Sequence, residues 1–408
     1  MTYNPEDTMT RRVTIVGGGL AGLATANALV SRGFGVDVFE TASVLGEIGA
    51  GINISFQAVK ALQAIGIGDK AIAVARQPTG IFTRDMQTGE ALYQNDMVAG
   101  AARFGAPYCV FHRADLLNVL AAGLDPACIH LGHQLVEMQE HEGGATLRFA
   151  NGAVSEANIL IAADGVRSVV RQALYGDDHP TYTGQMVWRA LLNGDDVPAE
   201  ILEPTGHIQW TGPGCHVLGY YLRNKEVINI VTQSDTDHWV DEGWSTPGDP
   251  DAMRASFPDP EPRLKTLLAA VTKCSKWGLF TRPLTDNWGR GRIQLIGDAA
   301  HAMLPNAGQG AGQAFEDAYT LARWLEAAPD VPEEAFGNFR RVRIPRVHGI
   351  QKLSFANARF KHLRDRDARK ALLESPKGEK RVNNMDWVWG YDPVEGWNKD
   401  PVVPEIEG

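Results

Sequence analysis

Apolar and polar positions follow two different rhythms along this chain. Near the start, Arg12 to Val16 is a short β-branched run that reads as a buried strand. Gly17 to Gly22 is a glycine loop, and the alanine- and leucine-rich stretch Leu20 to Val30 reads as a helix. Gly35 to Glu40 alternates and is apolar enough for a second strand. Strand, helix and strand in that order form a βαβ unit, which ordinarily lies in a parallel sheet. Ala114 to Ala122 reads as a further helix. Two later apolar runs end in glycine and aspartate: Ile159 to Ala163 before Asp164-Gly165, and Arg292 to Ile296 before Gly297-Asp298. An alanine-rich helix follows from about Gly310 to Glu326.

Thr183 to Gln233 has another texture, alternating apolar and polar with aromatics and turn glycines: Met186-Val-Trp-Arg, His207-Ile-Gln-Trp, His216-Val-Leu-Gly-Tyr and Val227-Ile-Asn-Ile-Val. That pattern predicts an antiparallel sheet with one face covered. An excursion around Thr79-Gly-Ile-Phe-Thr-Arg-Asp adds strands to the same sheet. Phe336 to Lys370 reads as long helical segments, one of them broken or kinked at Pro345. The predicted organisation is a discontinuous α/β domain (10–75, 98–180 and 281–335), a β-rich domain inserted in it (76–97 and 181–280) and a helical C-terminal region (336–408). At ~150 residues per domain, 408 residues also suggest two or three units.

Composition narrows the function classes. With 44% hydrophobic and 22% charged residues the chain is ordinary globular material. A net charge of −10 argues against nucleic acid as a partner, while leaving room for one basic pocket. No apolar run approaches the ~18 residues of a membrane helix, and Met1 to Thr10 is polar and acidic where a signal peptide would be basic and then apolar. Cys109, Cys128, Cys215 and Cys274 have neither C-x-x-C nor zinc-ligand spacing, so they read as reduced thiols and no metal is expected. The expectation is a cytoplasmic enzyme.

The first chemistry lies in Gly17-Gly18-Gly19-Leu20-Ala21-Gly22, a G-x-G-x-x-G loop between strand and helix. Gly17 allows the tight turn, Gly19 lets the backbone approach a pyrophosphate, and Gly22 lets helix and strand pack closely. Leu20 and Ala21 open the helix, whose free N–H groups and positive dipole end face the phosphates. Glu40 ends the second strand, 18 residues after Gly22, where it can accept from both hydroxyls of an adenosine ribose. A carboxylate there repels a 2′-phosphate, so FAD or NAD is favoured over NADP. Gly212-x-Gly214 and Gly308-x-Gly310 lack the strand, helix and acid, so one dinucleotide fold is expected.

Four more segments extend the pattern: His112-Arg113-Ala114-Asp115-Leu116; Ala163-Asp164-Gly165-Val166-Arg167-Ser168-x-x-Arg171; Gly297-Asp298-Ala299-Ala300-His301-x-x-x-Pro305-x-x-Gly308-Gln309-Gly310-Ala311-Gly312; and Gly46 to Asn53. Together with the glycine loop they resemble the group A flavoprotein aromatic monooxygenases, a family that includes salicylate hydroxylase, 3-hydroxybenzoate 6-hydroxylase and 6-hydroxynicotinate 3-monooxygenase. The resemblance runs from about Val13 to about Tyr391. It implies an α/β fold: a Rossmann-like FAD-binding domain, an inserted antiparallel β-sheet substrate domain and a helical C-terminal region.

It also implies roles. Arg113 reaches the FAD pyrophosphate or ribose, and Asp164 belongs to a motif associated with FAD and the passing nicotinamide nucleotide. Arg167 or Arg171 meets anionic groups or lies on a solvated helix face. Asp298 takes the ribityl hydroxyls, while Pro305, Gly308, Gly310, Ala311 and Gly312 lie against the isoalloxazine with a helix N-terminus near N1 and O2. Gly46 to Asn53 runs close to the ring. His301 reads as structural.

The implied chemistry is that of the family. NADH or NADPH, as a transient co-substrate, reduces FAD, O2 adds at flavin C4a, and the hydroperoxide passes an electrophilic OH to an electron-rich ring. The substrate class is a small phenol or hydroxypyridine carrying a carboxylate. Alternation on the strand Cys215 to Leu222 puts His216, Leu218, Tyr220 and Leu222 on one face. His216 and Tyr220 match family pocket positions, with His216 the proton acceptor because its ordinary pKa lies near neutrality. Arg223 matches a family arginine and is read as carboxylate-binding or structural. Two positions depart from the relatives: Asn306 replaces a histidine or glutamine, and Asn53 replaces a histidine of the hydroxynicotinate enzyme. An amide can hydrogen-bond a hydroxyl but is no base near pH 7. Two alternatives keep the flavin motifs: an epoxidase or tailoring oxygenase on a non-aromatic substrate, and a flavin redox sensor without turnover. Trp387 to Tyr391 is expected to cap the core. Arg340, Arg341, Arg343 and Arg346 read as a solvated helix face, or as partners of acids in a homodimer.

Overall fold

A computed structural model describes residues 11–46, 50–176, 179–236, 246–374 and 385–406. The chain is mixed α/β. Six strands form one sheet in the order Gly289–Arg290, Ile293–Leu295, Leu160–Ala162, Arg12–Val16, Gly35–Phe39 and Ile129–His130. All neighbours are parallel except the first pair. Val13, Ile15, Leu160, Ile161, Ile293 and Leu295 have no exposed surface, as strands covered on both faces require. The helices Leu20–Val30 and Gly310–Ala327 pack on one another in the same core. A three-stranded sheet, Leu135–His141, Gly144–Phe149 and Val154–Ala157, stacks Phe149 on Phe39 at 4.7 Å. The sequence gives little sign of it, because Val-Glu-Met-Gln-Glu is mostly charged or polar.

The second large sheet has eight strands: Thr246–Gly248, Cys274–Thr281, Thr181–Asn193, Val227–Asp235, Cys215–Leu222, His207–Gly212, Gly80–Asp85 and Ala91–Asp96. Every pair is antiparallel except His207–Gly212 with Gly80–Asp85. One face carries Trp210, Val217, Ile228 and Ile230 into a core with Leu264, Leu267 and Leu268 of the helix Pro262–Ala269. The other face is covered too, which differs from the one-sided sheet the alternation predicts. Tyr220 and Leu222 pack with Phe56, Tyr108 and Val110, while Val187, Trp277 and Leu279 pack with Leu304 and Ala358. His216, Tyr220, Asn229 and Gln233 of this second face are therefore interior residues.

The C-terminal region differs from expectation at one point. Pro332–Lys361 is a single helix of 30 residues that runs through Pro345. Proline removes one helical donor. Arg343 and Arg346 on either side are anchored in buried ion pairs, which hold the helix across the gap. Trp389 then packs edge-on against Phe56 and Phe104, and Val388 has no exposed surface.

Candidate functional site

The glycine loop has the backbone its sequence demands. Gly17 sits at φ +102°, where a Cβ would also strike the carbonyl oxygen of Ala163. A Cβ on Gly22 would strike the carbonyl oxygen of Gly17. Gly19 is different: nothing lies within 4 Å of its missing Cβ, so the loop is open on that side and can admit a phosphate. Glu40 Oε2 accepts from Gly18 N–H at 2.6 Å and Oε1 accepts from Ala42 N–H at 2.8 Å. These bonds fix the carboxylate and leave each oxygen a further lone pair for a hydroxyl.

Three other segments converge on this loop. Gly297, at φ +55°, lies against Ala21, and Asp298 begins the short helix that follows. Arg113 opens the helix Arg113–Ala121, and its N–H donates to Ala50 at 2.8 Å. Burial lowers the Arg113 pKa, nearby Asp298 works against that, and Arg189 adds to it, which places the three charges near one another. Asp164 is held high by burial despite accepting from Val170 N–H at 3.2 Å through Oδ2; its buried Oδ1 has no hydrogen-bond partner among the described residues. Gly308, left-handed at φ +62°, and Gly310 have nothing within 4 Å of a built Cβ. The first helical bond after them runs from Gln313 N–H to Gln309 O, so Gly310, Ala311 and Gly312 present their N–H groups at the helix start. An open glycine loop, a fixed carboxylate, an orphaned buried acceptor and a glycine-flanked helix start together fit a dinucleotide with a flat ring, as FAD has. Glu47, Ile48 and Gly49 of the predicted ring-facing segment lie outside the described residues.

The long C-terminal helix straps the loop that carries Pro305. Gln351 donates to Ala302 O at 3.2 Å, Ser354 to Leu304 O at 2.6 Å, and Lys361 Nζ to Asn306 O at 3.2 Å. Ala307 N–H donates back to Ser354 Oγ at 3.2 Å. Beneath the loop, His301 Nε2 lies 2.6 Å from Asp317, which also receives Arg343 at 2.8 Å. Glu316 receives Arg343 at 2.6 Å and Arg346 at 2.7 Å. Burial alone would raise Asp317, but His301 and Arg343 outweigh it and bring the carboxyl to about 2. Arg343 and Arg346 are thus interior residues, which corrects their reading as a solvated face or a dimer contact. Positions three apart turn inward toward Glu316 and Asp317, while Arg341 stays outside and pairs with Asp400. Arg171 is likewise buried, with contacts to Asn287 O and Ala299 O.

On the covered face of the eight-stranded sheet, one register row keeps accessible surface. Leu218 is the only residue of its strand that is not buried; Val231 opposite it and Arg189 opposite Val231 are also partly accessible. This row is the accessible part of an otherwise covered face. His216 and Gln233 flank it on one side, Tyr220 and Asn229 on the other. Asn306 and Gln233 exchange amide bonds at 3.2 and 3.3 Å, which brings the Pro305 loop to the His216 side. Tyr220 stacks on His207 with centroids 4.7 Å apart. Its hydroxyl is held above its ordinary pKa by burial, and burial also drives His207 down to about 3. Asn53 has a buried Oδ1 without a partner among the described residues.

Arg223 is elsewhere. It forms a two-bond pair with Asp115 at 2.7 and 2.8 Å, in a turn where Arg223, Asn224 and Lys225 all have positive φ. With Arg76 and Glu226 it lines an open groove of about 670 Å³ that shares no residue with the His216 and Asn306 cluster. Of the two readings of Arg223, this geometry supplies the structural one. Five residues of the cluster carry no motif in the sequence: Gln185, Gln233, Asp235, Lys361 and His362. His216 Nδ1 lies 3.0 Å from His362 Nε2, and His362 Nδ1 lies 2.6 Å from Asp235 Oδ1. Lys361, at the helix end, is lowered to about 8 by burial yet keeps some accessible surface, as a side chain lining an interior space does. Among the described residues no cluster is arranged to hold a metal ion, and no helix is long and apolar enough to cross a membrane.

The family described as FAD binding domain matches residues 10–330. The chain is 32% identical, over 382 residues, to 3-amino-4-hydroxybenzoate 2-monooxygenase of Streptomyces platensis, covering 93% of this chain and 96% of the relative. It is also 32% identical, over 350 residues, to 6-hydroxynicotinate 3-monooxygenase of Pseudomonas fluorescens, covering 85% and 91%. A solved salicylate hydroxylase substrate complex is similar with a TM-score of 0.80 at 27% identity, covering 97% of this chain and 99% of that one.

Proposed function

Because this chain belongs to the FAD binding domain family and is an FAD-dependent aromatic monooxygenase, we propose that its substrate is a small phenol or hydroxypyridine bearing a carboxylate. NADH or NADPH and O2 are the co-substrates. The observation that carries the substrate class is the interior row Leu218, Val231 and Arg189, walled by His216 and Tyr220 and overlooked by Asn306 and Lys361. The three relatives named above are named for hydroxyaryl carboxylates, and this space offers one group for each feature. Leu218 and Val231 take the ring, His216 takes a phenolic proton, and the Lys361 ammonium takes a carboxylate.

Bound FAD would supply the electrons and the activated oxygen, chemistry that no side chain provides. Gly17 to Gly22, with Gly19 open, would cradle the pyrophosphate, joined by Arg113. Glu40 would accept from the ribose hydroxyls, and Asp298 and the free Oδ1 of Asp164 from other donors of the cofactor. Pro305, Gly308, Gly310, Ala311 and Gly312 would lie against the ring, with the helix start stabilising negative charge there. Asn306 and Asn53 offer amides that orient a substrate hydroxyl without removing its proton. Tyr220, kept protonated by burial, donates a hydrogen bond. In this reading the eight-stranded sheet (76–97 and 181–280) is the substrate domain, inserted in the cofactor domain, and the helical region from 336 closes the site. The four free cysteines support a cytoplasmic location.

The test is anaerobic stopped-flow reduction of the purified holoenzyme by NADH and by NADPH, with a panel of hydroxybenzoates and hydroxypyridine carboxylates. One compound should accelerate flavin bleaching by orders of magnitude and be recovered hydroxylated once oxygen is admitted. A panel without any effector, alongside stimulation by a non-aromatic alkene, would overturn the substrate class.

A further inference from the structure

Three distant parts of the chain meet around His216. His216 sits on the strand Cys215–Leu222, Asp235 ends the neighbouring strand Val227–Asp235, and His362 caps the helix Pro332–Lys361 with its N–H on Ala358 O. The separations are 3.0 Å from His216 Nδ1 to His362 Nε2 and 2.6 Å from His362 Nδ1 to Asp235 Oδ1. Both rings are buried, whereas the Asp235 side chain is 31% exposed. The chain of contacts therefore begins at the pocket wall and ends at solvent. Gln185 holds the outer end in place by donating to Asp235 Oδ1 at 3.2 Å, and Gln233 ties Gln185 to Asn306.

The outer end also sets the direction. An ionised aspartate only accepts, and at 2.6 Å from His362 Nδ1 it lies nearer than the Gln185 amide nitrogen at 3.1 Å, so His362 carries its proton on Nδ1 and its lone pair on Nε2. That lone pair accepts from His216 Nδ1–H, which leaves the lone pair of His216 on Nε2, the nitrogen without a partner among the described residues. One carboxylate thus fixes both tautomers and gives the pocket a neutral nitrogen base.

We propose that His216, His362 and Asp235 form a proton relay that carries the phenolic proton of the substrate from the buried site to solvent. The proposal rests on the aromatic-hydroxylase reading. The substrate O–H breaks and an N–H forms at His216 Nε2. The His216 Nδ1–H passes to His362 Nε2, the His362 Nδ1–H passes to Asp235, and Asp235 releases the proton to water. Both rings then hold the opposite tautomer, and a proton returning along the same path to the product phenolate resets them. His216 touches the substrate; His362 and Asp235 act through it as positioning residues.

The surroundings explain why His216 needs such a path. Burial and the Lys361 ammonium both oppose a positive charge on its ring. A histidine in that position can pass a proton but cannot store one. At the outer end, Arg364 lies 3.7 Å from Asp235 and, with His362 and Gln185, keeps that carboxylate ionised against the effect of burial. Tyr220, Lys361, His207 and Arg189 are further ionisable groups around the pocket.

The test needs no turnover. The oxidised holoenzyme is mixed anaerobically with the hydroxyaryl carboxylate that accelerates its reduction, and phenolate absorbance and a pH dye are followed together. Wild type should form the phenolate and release one proton in step. Asp235→Asn and His362→Gln should bind with affinity within about 2-fold of wild type and form the phenolate about 100-fold more slowly, with a rate that rises with pH. Asp235→Glu should recover most of the rate. Asp235→Asn is nearly isosteric, so it remains informative if His362→Gln folds poorly. Unchanged phenolate and proton kinetics in Asp235→Asn would overturn the relay, as would a wild type that hydroxylates the compound yet releases no proton on binding it. A wild type that hydroxylates no aromatic compound removes the reading beneath, and the relay with it.

Discussion

Lys361→Met separates what a buried cation does for stability from what it does for binding. Burial brings Lys361 from its ordinary 10.5 to about 8, so the ammonium at neutral pH carries a penalty of about 3 kcal/mol relative to a solvated lysine. Its hydrogen bond is to Asn306 O at 3.2 Å. Methionine removes the penalty and leaves that carbonyl without its donor, a cost of about 1 kcal/mol. The net expectation is a free enzyme more stable by about 2 kcal/mol at pH 7, or roughly 2 °C in Tm for a chain of this size. The pH dependence is the sharper signature. The folded value lies below the unfolded one, so the unfolded chain binds more protons between pH 8 and 10.5. Wild-type stability therefore climbs across that window, and the climb is absent in the variant. Binding should change in the opposite sense. Loss of a buried charge pair costs about 2–5 kcal/mol, so a hydroxybenzoate-type ligand should bind at least about 30-fold more weakly, while its carboxamide is indifferent. Thermal unfolding at several pH values, with calorimetric titration of the acid and its amide, measures both. A variant that is less stable at pH 7 and binds acid and amide as wild type does would refute the assignment of Lys361 to a carboxylate.

Other substitutions follow from the same geometry. Gly22→Ala drives a Cβ into the Gly17 carbonyl, and the protein should purify colourless, read from its flavin absorbance; a variant that keeps its FAD would contradict the tight helix–strand packing. Arg343→Met leaves Glu316 and Asp317 with less countercharge in a fully buried network, and should cost about 3–5 kcal/mol in a urea titration. Because Asp317 is held at about 2, below its unfolded value, its contribution is present at neutral pH and is lost as pH falls through that value. Asp317→Asn should accordingly flatten the acid limb of stability against pH. Arg223→Ala breaks a surface pair with Asp115 and should cost under about 1 kcal/mol with no change in ligand affinity; a large loss of substrate affinity would restore its reading as a carboxylate ligand.

The parts of this molecule that local pattern could reveal are those whose physics is local. The run Arg12 to Val16, the forced glycines at Gly17 and Gly22, and the alternation through Cys215 to Leu222 each announce themselves within a few residues, and the strands and loop form as read. The alternation failed in one respect. It gives the face of a residue but not what covers that face, so His216 and Tyr220 read as one side of a half-covered sheet when that side is interior. Arg343 and Arg346 failed for the same reason. Four arginines in seven residues look solvated until Glu316 and Asp317 of the neighbouring helix are placed against two of them.

The residues that complete the site could not be read because they are joined only by the fold. Lys361 and His362 end a helix whose amphipathic pattern says nothing about where its end lies, and Asp235 ends a strand where polar residues are commonplace. The helix positions them through contacts made along its length. Gln351 and Ser354 grip the backbone of the loop around Leu304, and Lys361 grips it again at Asn306. The loop meant to lie against the flavin and the side chains meant to bind the substrate thus hang from one rigid element, braced below by Arg343 and Arg346. A shift of that helix moves Asn306, Lys361 and His362 together, so the Pro305 loop, the proposed carboxylate site and the middle of the proposed proton path keep a common register. That shared anchorage also makes the Arg343 substitution informative about chemistry. If the brace matters to the site, Arg343→Met should weaken binding of a carboxylated ligand even under conditions where the protein remains folded.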